Sequence, residues 1–191
     1  MIIDSVVGII GWPVSHSISP IMHNRAFSEM GLKNWFYVPM PVSNYNRIQE
    51  AVLGLRALGF KGANVTIPYK EAVVPYLDRL SDDARAIGAV NTISIDSEGR
   101  LVGHNTDGLG FIKDLLEHSV EITKKRVLIL GAGGSSRAIV YAMLAHGCKN
   151  ITIVNRTKTK ADDLAAAFQS LFKEAVIGQS INQEFEYDLN L

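Results

Sequence analysis

The sequence predicts an α/β protein in two parts, a first α/β part followed by an incomplete Rossmann-type parallel sheet. Three observations carry this expectation. Apolar runs of strand length alternate with helix-period stretches along most of the 191 residues. Several of the runs, "SVVGII" (5–10) among them, are continuously apolar, as in strands covered on both faces. And "RVLILGAGGSSRAIVYAMLAHG" (126–147) reads as a strand, a glycine turn and a helix in immediate succession.

Each element has a local reason. "SVVGII" is the first buried strand. Ser19 and Pro20 form an N-cap and first-turn pair; Met22, Ala26, Phe27 and Met30 follow at helical spacing, and Gly31 stops the helix. "WFYVPM" (35–40) is a second strand, 44–58 a helix ended by Gly59, and "GANVTI" (62–67) a third strand closed by Pro68. "SDDARAIG" is a short helix with acidic residues in its first turn, followed by two strands in "AVNTISI" and "LVGHNT". A helix over about 108–118 leads into the polar stretch "SVEITKK" (119–125). Beyond the glycine turn come the strand "NITIVN", the helix "TKADDLAAAFQSLF" and two weaker strands near 174–177 and 185–191. Repeated βα units imply parallel sheets with helices on both faces. The expected organisation is a domain over 1–105, a connecting helix and linker over 106–125, and a second domain over 126–191. A doubly wound domain starting near 126 needs more strands than remain, so the sequence reads as truncated.

Composition narrows the function classes. Lys plus Arg and Asp plus Glu balance at 19 each, a formal net charge of +0, which offers no nucleic-acid footprint and no membrane-surface patch. A phosphate would be held by local groups rather than by a global field. The lone Cys148 excludes an internal disulfide framework and fits a reducing, cytoplasmic setting. The apolar start "MIIDSVVGIIGWP" is short, lacks a basic leader and contains Asp4, so it reads as a strand and not a signal peptide. No run approaches the roughly 18 apolar residues of a membrane span.

The glycine turn holds Gly131, Ala132, Gly133, Gly134 and Ser135, then Ala138. Between a buried strand and a helix, glycines permit a tight turn, close approach of the backbone to a pyrophosphate, and close helix–strand packing. The first amides of the helix then face the phosphates. The bland alternative is a βα turn without a ligand. The next strand, where an acidic residue would bind the ribose of NAD, ends instead in Asn155, Arg156, Thr157, Lys158, Thr159 and Lys160. An arginine there clamps a 2′-phosphate, which favours NADP; the alternative is a solvated basic helix start.

A hydride carrier needs a substrate site with a proton donor. Lys70 follows a strand end and Pro68, in the first turn of an expected helix whose dipole would lower its pKa from about 10.4. Asp107 precedes another helix, where it either orients that lysine or caps the helix. Singly, Lys70 reads equally as an exposed lysine, Ser19 as a cap, and Asn64 and Asn91 as turn formers. Together, Ser17, Ser19, Asn64, Thr66, Lys70, Asn91 and Asp107 all fall at or just beyond strand ends, where open α/β sheets bind ligands. Hydroxyls, amides, one cation and one anion suit a small polyhydroxylated acid.

Six linked motifs, "GWPVSHSISPIMHN", "GANVTIPYKE", "GAVNTI", "GHNTDGLGF", "GAGGSSRA" and "NRT", occur in the order and contexts of the shikimate dehydrogenases, which the chain resembles from about residue 5 onward. The resemblance implies NADPH-dependent reduction of 3-dehydroshikimate to shikimate, with an N-terminal substrate domain, a C-terminal NADP domain and a cleft between them. It implies that Ser17, Ser19 and Thr66 hold the substrate carboxylate and that Asn64, Asn91 and Asp107 contact the ring hydroxyls. Lys70 would be the general acid/base, with Asp107 holding it in line. Gly131 to Ser135 would take the pyrophosphate, Asn155 to Lys160 the 2′-phosphate, and Asp82 a cofactor-side position. The expected partners are small molecules, with no nucleic acid and no membrane, and with room for a homodimer. Family members continue past residue 191 with an "NAT" segment, a glycine near the nicotinamide, a substrate-contacting glutamine and helices that close the cleft. His16 and His23 lack a third donor for a metal, His104, His118 and His146 read as surface or structural, and Cys148 as an ordinary buried residue.

Three other readings compete. A sister enzyme would take quinate as well as shikimate; "SIS" with Thr66 leans towards shikimate. A non-catalytic module would bind shikimate or NADPH without turnover, and the Lys70–Asp107 pair argues against it. A structural Rossmann domain without a ligand is the third.

Overall fold

A computed structural model describes residues 4–172 and 175–180. The chain divides into two compact units, one ending at Thr106 and one beginning at Asp107.

In the first unit the strands are β1 (Ser5–Gly11), β2 (Trp35–Pro41), β3 (Gly62–Val65), β4 (Arg79–Leu80), β5 (Thr92–Ile95) and β6 (Leu101–His104); the helices are α1 (Ser19–Glu29), α2 (Ile48–Ala57) and α3 (Asp82–Ile87). The six strands form one sheet in the order β2-β1-β3-β5-β6-β4. β1 runs parallel to β2 and β3, but β5 is antiparallel to both β3 and β6. This corrects the expectation of a parallel sheet here. Between β5 and β6 the chain turns back at once: the Asp96 carboxylate accepts from the amides of Glu98 and Arg100, each at 2.9 Å, and pairs with the Arg100 guanidinium. A direct return of this kind joins only antiparallel neighbours. The backbone and side-chain donors of Arg100 hold the Asp96 carboxyl below its usual range.

One face of the sheet is packed by α2, which lays Ile48, Val52 and Leu55 on Ile10, Ala63, Val65, Ile93 and Leu101. Tyr69 and Val73 join that core from the segment after β3. α1 buries no residue. It is tied by Asn24, whose side chain accepts from the Tyr37 amide (2.9 Å) and donates to the Tyr37 carbonyl (2.8 Å). The helix expected from Lys70 does not form: turns lead to a single 3-10 turn, Val74–Tyr76, with Pro75 inside it. Burial of Tyr69 and Val73 sets this path in place of an amphipathic helix.

The second unit contains α4 (Asp107–Glu117), β7 (Arg126–Leu130), α5 (Gly134–Ala145), β8 (Asn150–Asn155), α6 (Lys158–Phe172) and β9 (Ala175–Ser180). Its strands are all parallel, in the order β7-β8-β9. α5 and α6 bury Val140, Met143, Leu144, Leu164 and Phe168 against Ile129, Ile151, Ile153 and Val176. The helix taken from the sequence as a connector is α4, and it packs on α5: a Cβ on Gly108 would lie 2.5 Å from the Ala138 carbonyl oxygen and 2.8 Å from Ala142 Cβ. The strand read near 174–177 is β9; the one read at 185–191 lies outside the described residues. Among the described residues, no helix is long and apolar enough to cross a membrane.

Candidate functional site

The ends of β1, β3 and β6 and the start of β5 lie side by side at one end of the first sheet. Gly11 closes β1 where a Cβ would lie 2.4 Å from Thr66 Cγ2 and 2.7 Å from Val14 Cγ1, so the loop after β1 lies directly on the loop after β3. Backbone bonds from Trp12 to Ile67 (3.0 Å) and from Thr66 to Ile10 (2.9 Å) lock the two together.

Ser17 and Ser19 both sit in this loop region, half-buried. Ser19 is the first residue of α1, which corrects the expectation that it caps the helix, and the Ser17 hydroxyl accepts from the Ser19 amide (3.3 Å).

Asn64 and Asn91 belong to one network. The Tyr37 hydroxyl donates to Asn64 Oδ1 (2.8 Å), and Asn64 Nδ2 donates to Thr92 Oγ1 (3.2 Å) and the Asn91 carbonyl (3.4 Å). Thr92 Oγ1 in turn donates to Asn91 Oδ1 (3.0 Å), which also accepts from the Thr106 amide (3.0 Å). Asn91 Nδ2 donates to Thr106 Oγ1 (2.9 Å). Tyr37, Thr92 and Thr106 were absent from the sequence-derived set. Thr92 and Thr106 carry a signal in hindsight, each following an asparagine in "VNT" and "HNT". Tyr37 carries none, being one aromatic among three in "WFY".

Lys70 is half-buried. Its carbonyl accepts from the Val90 amide at 2.7 Å, and the next residue along, Asn91, accepts from Val65 at 2.8 Å. The backbone beneath the ammonium is therefore pinned beside the asparagine network. The sequence argument that a helix dipole tunes Lys70 lapses, because no helix begins there. Asp107 opens α4 as the first residue of the second unit. Asp82 is exposed in the first turn of α3, where its carboxylate complements the helix amides.

In the second unit, Gly131 adopts a φ of +112°, a conformation open to glycine. Gly133 precedes α5 with no side-chain cap, and nothing lies within 4 Å of where its Cβ would stand. The glycine turn thus leaves room beside the start of α5, where a helix N-terminus favours an anion. Gly134 is half-buried and Ser135 exposed, while Ala132 packs on the core. At the end of β8, Asn155 folds back to donate to the Thr157 carbonyl (2.9 Å), leaving Arg156, Thr157, Thr159 and Lys160 exposed. Lys158 is engaged by Asp162, with N···O distances of 2.7 and 2.9 Å.

The remaining polar residues have structural partners. His104 bonds Ser94 (3.0 Å), His118 and His146 bond the carbonyls one turn back, and His23 stacks on Tyr37. Burial raises the Cys148 thiol pKa. Among the described residues there is no group of three side chains suited to a metal ion.

The fold and its two clusters define an α/β protein that joins a Rossmann-type unit to a mixed-sheet unit with a polar strand-end site. Residues 9–93 match the family model described as the shikimate dehydrogenase substrate binding domain, and residues 114–184 match that described as shikimate / quinate 5-dehydrogenase. The chain belongs to the shikimate dehydrogenase family. It is 50% identical over 168 residues to shikimate dehydrogenase (NADP(+)) of Carboxydothermus hydrogenoformans, covering 88% of this chain and 59% of that protein. A crystal structure of a shikimate dehydrogenase in complex with NADP+ is 42% identical and superposes with a TM-score of 0.82, over 91% of this chain and 60% of that one. Quinate dehydrogenase from Corynebacterium glutamicum, solved in complex with NAD, is 31% identical with a TM-score of 0.81, over 92% of this chain and 64% of that one. The chain thus spans less than two thirds of the length of these relatives.

Proposed function

We propose that this chain serves the NADPH-dependent, reversible reduction of 3-dehydroshikimate to shikimate, as a cytoplasmic enzyme of small molecules. The observation that carries the reading is the strand-end site of the first unit, where a lysine on a pinned backbone adjoins an ordered set of neutral hydroxyls and amides. Such a set recognises a compact acid rich in hydroxyl groups.

Ser17, Ser19 and Thr66 are assigned to the carboxylate, and Asn64 and Asn91 to ring hydroxyls. Asp107 is assigned, like the two asparagines, to a ring hydroxyl. The residues of the second unit fit NADP(H): the glycine turn and helix start over Gly131 to Ser135 for the pyrophosphate, and Arg156 with Lys160 for the 2′-phosphate. When bound, NADPH supplies the hydride, which leaves the chain to orient the acid and provide a proton. Lys70 Nζ gives that proton to the carbonyl oxygen during reduction and takes it from the hydroxyl during oxidation.

The test is shikimate-dependent NADP+ reduction, with shikimate binding measured separately by calorimetry. Lys70→Ala is expected to lower turnover by about 10²–10⁴-fold while shikimate still binds. Near-normal turnover in the variant would refute the role of Lys70. Turnover of quinate at a rate close to that of shikimate would move the assignment to the sister activity.

A further inference from the structure

We propose that Tyr37 is a positioning residue of the site, holding the ring-hydroxyl handle Asn64 in a directed chain of hydrogen bonds that runs on to Asn91. This rests on the substrate reading given above for Asn64.

Tyr37 has almost no freedom. It is 4% exposed, its backbone is clamped on both sides by Asn24, and its ring lies on His23 with centroids 4.4 Å apart and planes 12° from parallel. Its hydroxyl is therefore fixed in place before any ligand arrives. The direction of the chain follows from which atoms can donate. The Asn64 amide has one tenable orientation, because turning it over would set Oδ1 against the Asn91 carbonyl, an acceptor facing an acceptor. With Oδ1 turned towards Tyr37, the phenol must spend its only hydrogen there, at 2.8 Å.

The same logic carries onward. Thr92 Oγ1 accepts from Asn64 Nδ2, so its own hydrogen goes to Asn91 Oδ1 at 3.0 Å. A single polarity thus runs from Tyr37 through Asn64 and Thr92 to Asn91. Burial keeps the phenol protonated, with a pKa pushed up to about 12, so the link holds across the neutral range. Tyr37 touches no reacting atom; it acts by deciding which end of Asn64 a substrate meets.

Tyr37→Phe removes the hydrogen and keeps the ring, the His23 stack and the backbone clamp. The Asn64 side-chain amide, identified in ¹⁵N-edited spectra of the ligand-free chain by its loss in Asn64→Ala, is expected to shift in Tyr37→Phe. Shikimate affinity, read by calorimetry, is expected to fall about tenfold, the cost of leaving a polar acceptor unmatched. In the Asn64→Ala background the same substitution should cost less than twofold, since its route of action is already gone. Thr92→Val, which cuts the next link and leaves Tyr37 intact, should weaken shikimate by a smaller factor without moving the His23 ring resonances. An unmoved Asn64 amide with normal shikimate binding in Tyr37→Phe would overturn the positioning role and leave the substrate reading standing. An equal loss in both backgrounds would also overturn it. A wild-type chain that ignores shikimate while Asn64 still responds to Tyr37→Phe would overturn the substrate reading, and the role of Tyr37 with it.

Discussion

The Ser17 hydroxyl serves the backbone, accepting from the Ser19 amide at 3.3 Å just where α1 begins. Ser17→Ala is therefore expected to cost about 1 kcal/mol of stability, measured by denaturant titration, in addition to any loss of shikimate binding. Tyr37 makes a second prediction, in pH. Its folded pKa of about 12 exceeds the ordinary 10.0, so the folded state holds the proton longer than the unfolded one. Above pH 10 the unfolded chain binds fewer protons, and stability declines as pH rises from about 10 towards 12. Tyr37→Phe should show a shallower decline over that interval in melting measurements. The types and spacing of Ser17, Ser19, Asn64, Lys70 and Asn91 were enough to nominate them. Their division of labour was not, because hydrogen-bond direction depends on partners such as Tyr37 and Thr92 that come from other strands.

Among the elements, local signals worked where the chain itself enforces them. The short helix read from "SDDARAIG" is α3, with Asp82 and Asp83 in its first turn, and Ser81 caps it by accepting from the Ala84 amide at 3.2 Å. Ser81→Ala is expected to lower stability by about 1 kcal/mol. The glycine turn likewise lies where the motif put it, between β7 and α5, with Gly131 at positive φ. Tertiary packing overrode the local signals after β3, where Tyr69 and Val73 are drawn into the core and a helix gives way to turns. It also decided the fate of α4. Gly108 leaves no room for a Cβ against α5, so Gly108→Val should cost about 1–3 kcal/mol through overpacking, read as a lower melting temperature. A connector with no close partner would tolerate that change.

For the whole molecule, the balance of 19 basic and 19 acidic residues means that any anion is recognised by contacts rather than by a general field. This makes the basic residues after β8 separable by experiment. Arg156 is exposed at the strand end, whereas Lys158 is already paired with Asp162. Arg156→Ala is expected to weaken NADPH binding about tenfold or more with little change for NADH, by fluorescence titration. Lys158→Ala should change NADPH binding less than twofold. Equal effects from the two substitutions would mean that the lysine leaves its aspartate for the phosphate. By itself the sequence determined the two-part α/β class, the parallel order of β7 and β8 around a glycine turn, and most of the polar residues at the strand ends, because each follows from periodicity or from a chemistry written in consecutive residues. Only the tertiary structure decided that the first sheet is mixed, that α4 belongs with α5, and that Tyr37 donates to Asn64. Those outcomes depend on contacts between residues far apart in the chain, where steric fit and hydrogen-bond polarity, rather than neighbouring sequence, select the arrangement.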